Sequence, residues 1–425
     1  MRLTAFLEPL GLIAAAACAF AVPTALPATV PGTLPTAPDY KHLYETHQWF
    51  ALRDAVNSAA DHAPVFYRGA VEAAFNQTEA AERDLKMDMR GEPHSSRASD
   101  SREIMIAMYY RRGKYRSALA ADDLYHHAPA NDDERKERSM LATLAQAGDL
   151  TVTVPKSSGN IAIDFVDGNL FLPIAINNSA ASYAFDNGAA TSFMSESEAK
   201  RLGLTVQSTG ASMYTMTAAR ISMRIAVVND LAIGGLHLSH VVFTVLPDAN
   251  PPFNDLPAVK RGIIGMPVLL AMKTIRWSYA KRTFEFSVPI PYATIPKSNL
   301  AFQDTSTFIA LTSNAHDLQF SLDTGAQVTY LYPGFAAAFP ALIASGKKET
   351  HTLTGVGGSS DFDSVALDSI TLNVAGRPLT LKPAHVLIKS NNATSSWFSG
   401  NLGMDLLNQS SSVTLDWTAM SLSLQ

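Results

Sequence analysis

A single cysteine, Cys18, serves all 425 residues. That excludes an internal disulfide framework, a multi-cysteine zinc site and a CxxC redox motif. Charge is also sparse: 17% of residues are charged, the net charge is -5, and no long run of one sign occurs. A dedicated nucleic-acid binder needs a basic face to neutralise phosphates, so that class is set aside. HExxH, GxSxG and P-loop patterns are missing, which leaves zincin, serine-hydrolase and nucleotide-dependent chemistry without a foothold. Beyond the first two dozen residues, no stretch approaches the roughly 20 apolar residues of a transmembrane helix. Apolar content, by contrast, is ordinary at 47%. A chain of this length then buries a sizeable core, and its length suggests two or three domains.

The N-terminus differs from the rest. Arg2 precedes an apolar run from Leu10 to Val22, and Ala19-Phe20-Ala21 places small residues three and one before a cut. This predicts a cleaved signal peptide over 1–21 and an exported protein, periplasmic or secreted. An uncleaved apolar helix is the alternative. Because Cys18 follows Ala15-Ala16-Ala17 in what resembles a poor bacterial lipobox, a lipid anchor at Cys18 is a further, minority reading. Residues 22–39, with Pro23, Pro27, Pro31, Pro35 and Pro38, read as a stiff linker.

Residues 40–148 read as a small helical domain. Ile104, Ala107, Met108, Arg111 and Tyr115 recur at helical spacing, their apolar members on one face. The stretch Ala107 to Ala118 resembles one tetratricopeptide-type hairpin, with Gly113 in the turn and Tyr115 and Ala118 interlocking the helices. Asn76, with Glu79 three residues on, is expected to cap a helix. The run Asn131-Asp132-Asp133-Glu134 is expected to open another. This domain is a candidate contact surface for another protein, and a candidate cover for whatever cleft the remainder forms.

After Gly148 the texture turns to strands. Phe171–Ile176, Ile221–Val228, Val241–Leu246 and Phe284–Val288 are rich in β-branched and aromatic residues and separated by turn signals. This part repeats itself. Tyr183-Ala184-Phe185-Asp186-Asn187-Gly188-Ala189 corresponds to Phe320-Ser321-Leu322-Asp323-Thr324-Gly325-Ala326. Gly262-Ile263-Ile264-Gly265-Met266 corresponds to Gly400-Asn401-Leu402-Gly403-Met404, and Ile275-Arg276-Trp277 to Leu415-Asp416-Trp417. Three landmarks in one order at nearly constant spacing indicate duplication.

Each copy resembles a lobe of the pepsin and retropepsin aspartic proteases, closer to the short retropepsin type. The resemblance covers roughly 160 to 425. It implies a mainly β fold of two pseudo-twofold-related lobes, 160–290 and 300–425, preceded by the α-helical domain. It further implies an endopeptidase without metal or cofactor, in which Asp186 and Asp323 share one proton and activate a water. Gly188 and Gly325 would leave the cleft open, and the Thr324 hydroxyl would bond across to the other lobe. A glycine-rich flap is expected at Gly355, Gly357 and Gly358, and Tyr214 is the flap candidate of the first copy. The substrate would be an extended peptide or protein segment.

Two positions depart from the pattern. Asn401 takes an apolar position, which bears on local packing. Asn187 stands where the family has Thr or Ser, and three outcomes stay open. The enzyme is active, or it is a peptide-binding relative whose chemistry Asn187 has spoiled, or it is a dimer in which only the Asp323 copies pair. On the sequence alone, Asn187→Thr is expected to raise turnover.

Overall fold

The computed structural model describes residues 38–59, 62–126, 128–129, 131–153, 160–166, 168–214, 220–287, 297–355, 358–389 and 398–425. The export segment, Cys18, nearly all of the linker and Gly357 lie outside the described residues.

Helices come first: α1 (Tyr40–Glu45), α2 (Trp49–Ala59), α3 (Val65–Ala74), α4 (Thr78–Gly91), α5 (Ser96–Tyr110), α6 (Tyr115–Asp122) and α7 (Asp132–Gln146). The acidic run opens α7 as expected. The Asn131 side-chain oxygen accepts from the Asp133 and Glu134 amides, and the acidic first turn meets the positive end of the helix dipole. Gly113 turns the chain between α5 and α6 at φ +66°. There a Cβ would lie 2.9 Å from that of Leu150. Tyr115 and Ala118 are buried between the helices.

Asn76 corrects an expectation. It sits at φ +63° between α3 and α4, and Gln77 takes the cap position. Asparagine tolerates this left-handed conformation, and its amide then points away to donate to the Trp417 carbonyl at 2.7 Å. That bond is one of several fastening the helices to the outer face of the second lobe. The Trp49 indole donates to Gln303 Oε1 at 2.7 Å. Buried Arg111 stacks 4.3 Å from the Phe302 ring centre and donates to the Asp304 carbonyl at 3.0 Å.

The rest is mainly β, two curled sheets that are the two lobes and a shared sheet between them. Among the described residues the first lobe has an 11-stranded sheet and the second a 10-stranded one. Four expected runs are strands: Asn169–Ile176, Arg220–Val228, Val241–Leu246 and Thr283–Phe286. In the five-stranded shared sheet, Thr274–Ser278 pairs antiparallel with Ser412–Asp416. The pairing is self-complementary. Ile275 faces Leu415, its own repeat counterpart, while Thr274 faces Asp416 and Arg276 faces Thr414. A pseudo-twofold axis therefore passes through the Ile275–Leu415 pair. Trp277 and Trp417 are both buried in the core on either side.

Candidate active site

Asp186 and Asp323 each follow the end of a strand, Ser179–Phe185 in one lobe and His316–Leu322 in the other. Each strand runs parallel to a short partner, with Ile264 opposite Phe185 and Leu402 opposite Leu322. The same backbone bonds then occur twice. The Asp186 amide donates to the Ile264 carbonyl and the Asp323 amide to that of Leu402, both at 3.0 Å. The Gly265 amide donates to Ser192 Oγ at 3.1 Å, the Gly403 amide to Thr329 Oγ1 at 2.9 Å. The Met266 amide reaches the Ala189 carbonyl at 2.9 Å, and Met404 reaches Ala326 at 2.8 Å.

These bonds bring the two carboxyl groups close together on either side of Gly188 and Gly325. The Gly188 amide donates to Asp186 Oδ1 at 2.7 Å, and the Gly325 amide to Asp323 Oδ1 at 2.9 Å. Glycine is required at both places by crowding. A Cβ on Gly188 would lie 2.7 Å from Asp323 Oδ1, and one on Gly325 would lie 2.4 Å from Asp186 Oδ2. Loss of hydration, followed by the neighbouring Asp323 charge, pushes the Asp186 carboxyl well above the ordinary carboxylate range.

Asn187 and Thr324 are fully buried beneath the pair. The Thr324 hydroxyl accepts from the Asn187 amide at 3.0 Å and donates to the Phe185 carbonyl at 3.4 Å. Asn187 returns both bonds with two atoms. Its Oδ1 accepts from the Thr324 amide at 2.8 Å and its Nδ2 donates to the Leu322 carbonyl at 2.9 Å. The carboxamide is thus a donor–acceptor unit doing what one hydroxyl does in the opposite lobe. The cross-lobe bonding that Asn187 put in question is complete.

The pair sits on the floor of a cleft of about 650 Å³. Among the described residues, all those lining it come from the two lobes, so the helices do not cover it. Above it lies the hairpin Lys347–Gly355 and Gly358–Leu367, whose Thr352, Leu353, Thr354 and Gly355 face the cleft. Gly355 pairs with Gly358, which turns at φ +117°, a value suited to glycine. This is the position expected of a flap. In the first lobe, Val206–Tyr214 pairs with Arg220–Val228, the register breaking between Ser208 and Ser212. Tyr214 is the last residue of that strand, opposite Arg220, and its side chain lies outside what is described.

Three contributions were not foreseen. The segment from Pro251 to Leu256 lines the first-lobe side of the cleft, where Phe253 is buried. Tyr332 lines the second-lobe side. Asn401 touches the dyad itself: its Nδ2 donates to Asp323 Oδ2 at 3.2 Å, while its Oδ1 accepts from Ser321 Oγ at 2.5 Å. A signal existed in the repeat. Ala184 faces Ile263 across the first-lobe strands, and Ser321 faces Asn401 at the matching place in the second. An apolar pair has been exchanged as a unit for a hydrogen-bonded one.

Residues 172–268 match the aspartyl protease family. The matched span contains Asp186, Asn187, Gly188 and the Ile263-Ile264-Gly265 segment that holds them. Among solved structures, a retropepsin-like aspartic protease from Rickettsia conorii is 19% identical with a TM-score of 0.24, covering 32% of this chain and 92% of its own. A second, edgp, is 11% identical with a TM-score of 0.36, covering 63% of this chain and 94% of its own. No curated protein matches the chain.

Proposed function

We propose that the chain is an exported aspartic endopeptidase whose catalytic groups are Asp186 and Asp323. The observation that carries this reading is the nearness of the two carboxyls around Gly188 and Gly325, each cradled by the amide of its own glycine. Two adjoining carboxylates cannot both ionise cheaply, so between its two titration steps the pair holds one proton. The surroundings favour that proton on Asp186. The amide of Asn401 stabilises negative charge on Asp323 Oδ2, whereas the matching strand positions in the first lobe are the apolar Ala184 and Ile263.

Ionised Asp323 then takes a proton from a water whose oxygen adds to the peptide carbonyl carbon, while Asp186 protonates the carbonyl oxygen. Collapse of the resulting gem-diol reverses the roles. Asp323 gives its new proton to the leaving nitrogen and Asp186 recovers one from a hydroxyl, so the dyad returns to its starting state. An extended peptide would lie beneath the hairpin Lys347–Gly355 and pair with its backbone. The inactive, peptide-binding alternative rests on Asn187, and the two cross-lobe bonds of that side chain support the active reading over it.

Export rests on the sequence of residues 1–21 alone. It is tested by reading the N-terminus of the protein from the exported fraction, with Val22 expected as the first residue. Peptidase activity is tested by incubating the protein with an unfolded protein substrate from acid to mildly alkaline pH, beside Asp323→Ala. Cleavage by the wild type alone is expected. Equal cleavage by the variant would overturn the mechanism.

A further inference from the structure

The sheet face that carries Leu353 and Phe362 into the cleft carries three more functional side chains nearer the root of the hairpin. Glu349 and His351 lie two apart on Lys347–Gly355 and so share that face. His385 lies on Ala384–Leu387, the strand beyond Gly358–Leu367. The intervening strand presents Phe362 opposite His351, but small residues opposite the other two, Ser364 opposite Glu349 and Ala366 opposite His385. Longer side chains from the two outer strands therefore meet above it. His385 Nδ1 is 2.7 Å from Glu349 Oε1, and the His351 and His385 rings stack at 4.2 Å between centres. One ligand atom from each of the three residues lies within 4.8 Å of the other two.

We propose that Glu349, His351 and His385 form a site for a divalent first-row transition metal, Zn2+ in particular, that clamps the flap root to its neighbouring strand. Two imidazoles with one carboxylate suit zinc, whereas magnesium and calcium favour all-oxygen sets. Zinc bonds of about 2.0–2.2 Å place tetrahedral ligand atoms roughly 3.3 Å apart. The present separations, all within 4.8 Å, would close to that value around an ion. Three protein ligands leave a fourth position for water or an external donor. The Tyr330 ring lies 5.5 Å from that of His351 and lines the cleft, so the ion would sit at one end of the substrate cleft. Sequence spacing hides such a site, because its third ligand arrives only through pairing across a whole strand. It rests on the sheet alone and stands whether or not the aspartates cleave peptides.

The test is calorimetric titration of the EDTA-treated, dialysed full chain with ZnCl2, with MgCl2 as comparison. One saturable zinc site in the micromolar range or tighter is expected, with no magnesium binding. Affinity should fall by at least about tenfold in His351→Gln, His385→Gln and Glu349→Gln, each checked for folding by circular dichroism. Cobalt loading of the wild type should also give the visible absorption of a low-coordinate nitrogen–oxygen site. Absence of saturable zinc binding, or zinc binding unchanged in all three variants, would overturn the proposal. If a variant does not fold, a wild-type cobalt spectrum no different from aqueous cobalt overturns it equally.

Discussion

The two lobes make the same backbone hydrogen bonds around their aspartates and surround them with different side chains. Below the carboxyls, Asn187 in one lobe answers Thr324 in the other. Beside them, apolar Ala184 and Ile263 answer polar Ser321 and Asn401. The difference separates two requirements. Placing two carboxyls in contact needs a symmetric scaffold, and the scaffold bonds are repeated pair for pair. Keeping one carboxyl neutral and the other charged needs asymmetric surroundings, and there the copies diverge.

The largest effect should come from removing either aspartate, since the proposed mechanism uses each as acid in one step and base in the other. Asp186→Ala and Asp323→Ala should each lower kcat/KM by about 10²–10⁴-fold. Unequal losses, with one variant near wild type, would break the reading of a shared site. Asp186 also bears on stability. Its raised affinity for a proton means that its contribution is fully present below the ordinary Asp value of 3.8 and is lost as pH rises through the folded value. Asp186→Asn removes that loss. Thermal melting of the variant should therefore decline less from acid to neutral pH than that of the wild type, and a parallel decline would count against a proton held at Asp186.

Next in size is the cross-lobe bonding. Asn187→Ala strands the buried Thr324 amide and Leu322 carbonyl, at a cost of roughly 1–3 kcal/mol for each unsatisfied group. Urea denaturation should show a loss of about 2–6 kcal/mol. Loss below about 0.5 kcal/mol would mean that the bonds do not hold the lobes together.

The scaffold was legible in the sequence because its landmarks recur in the same order. Asp186 with Asp323, Gly188 with Gly325, and Gly265 with Gly403 could each be read by comparing one copy with the other. Asn76 could not, since asparagine suits both a helix cap and a left-handed turn, and a distant partner, Trp417, decided between them. Asn401 stood out as a departure, yet its meaning needs the strand partner Ser321 and the distance to Asp323. Phe253 and its neighbours have no counterpart to compare, so only the folded cleft reveals them. Departures from the repeat marked the chemistry, but folding had to say what each one touches.

Asn401→Ile gives the second lobe the apolar wall of the first. Loss of a donor to Asp323 Oδ2 makes the charged state of the dyad harder to reach, so the acid limb of the kcat/KM profile should move upward. The net worth of one such bond corresponds to about half to one pH unit. Glutamine or serine at this position should restore part of the limb if the donor is what matters. An unmoved limb would leave Asn401 with a packing role only.

Smallest of all should be Asn187→Thr, for which the sequence alone suggested higher turnover. A threonine here has one oxygen to accept from the Thr324 amide and donate to the Leu322 carbonyl, the roles that Thr324 itself fills toward Asn187 and Phe185. Asn187 already fills both, and at 2.8 and 2.9 Å its bonds leave nothing for threonine to repair. Turnover should therefore change by less than about threefold, below about 1 kcal/mol. A rise of about tenfold or more would mean that the longer side chain holds the carboxyls out of line. The two lobes would then differ in how they support the dyad as well as in how they charge it.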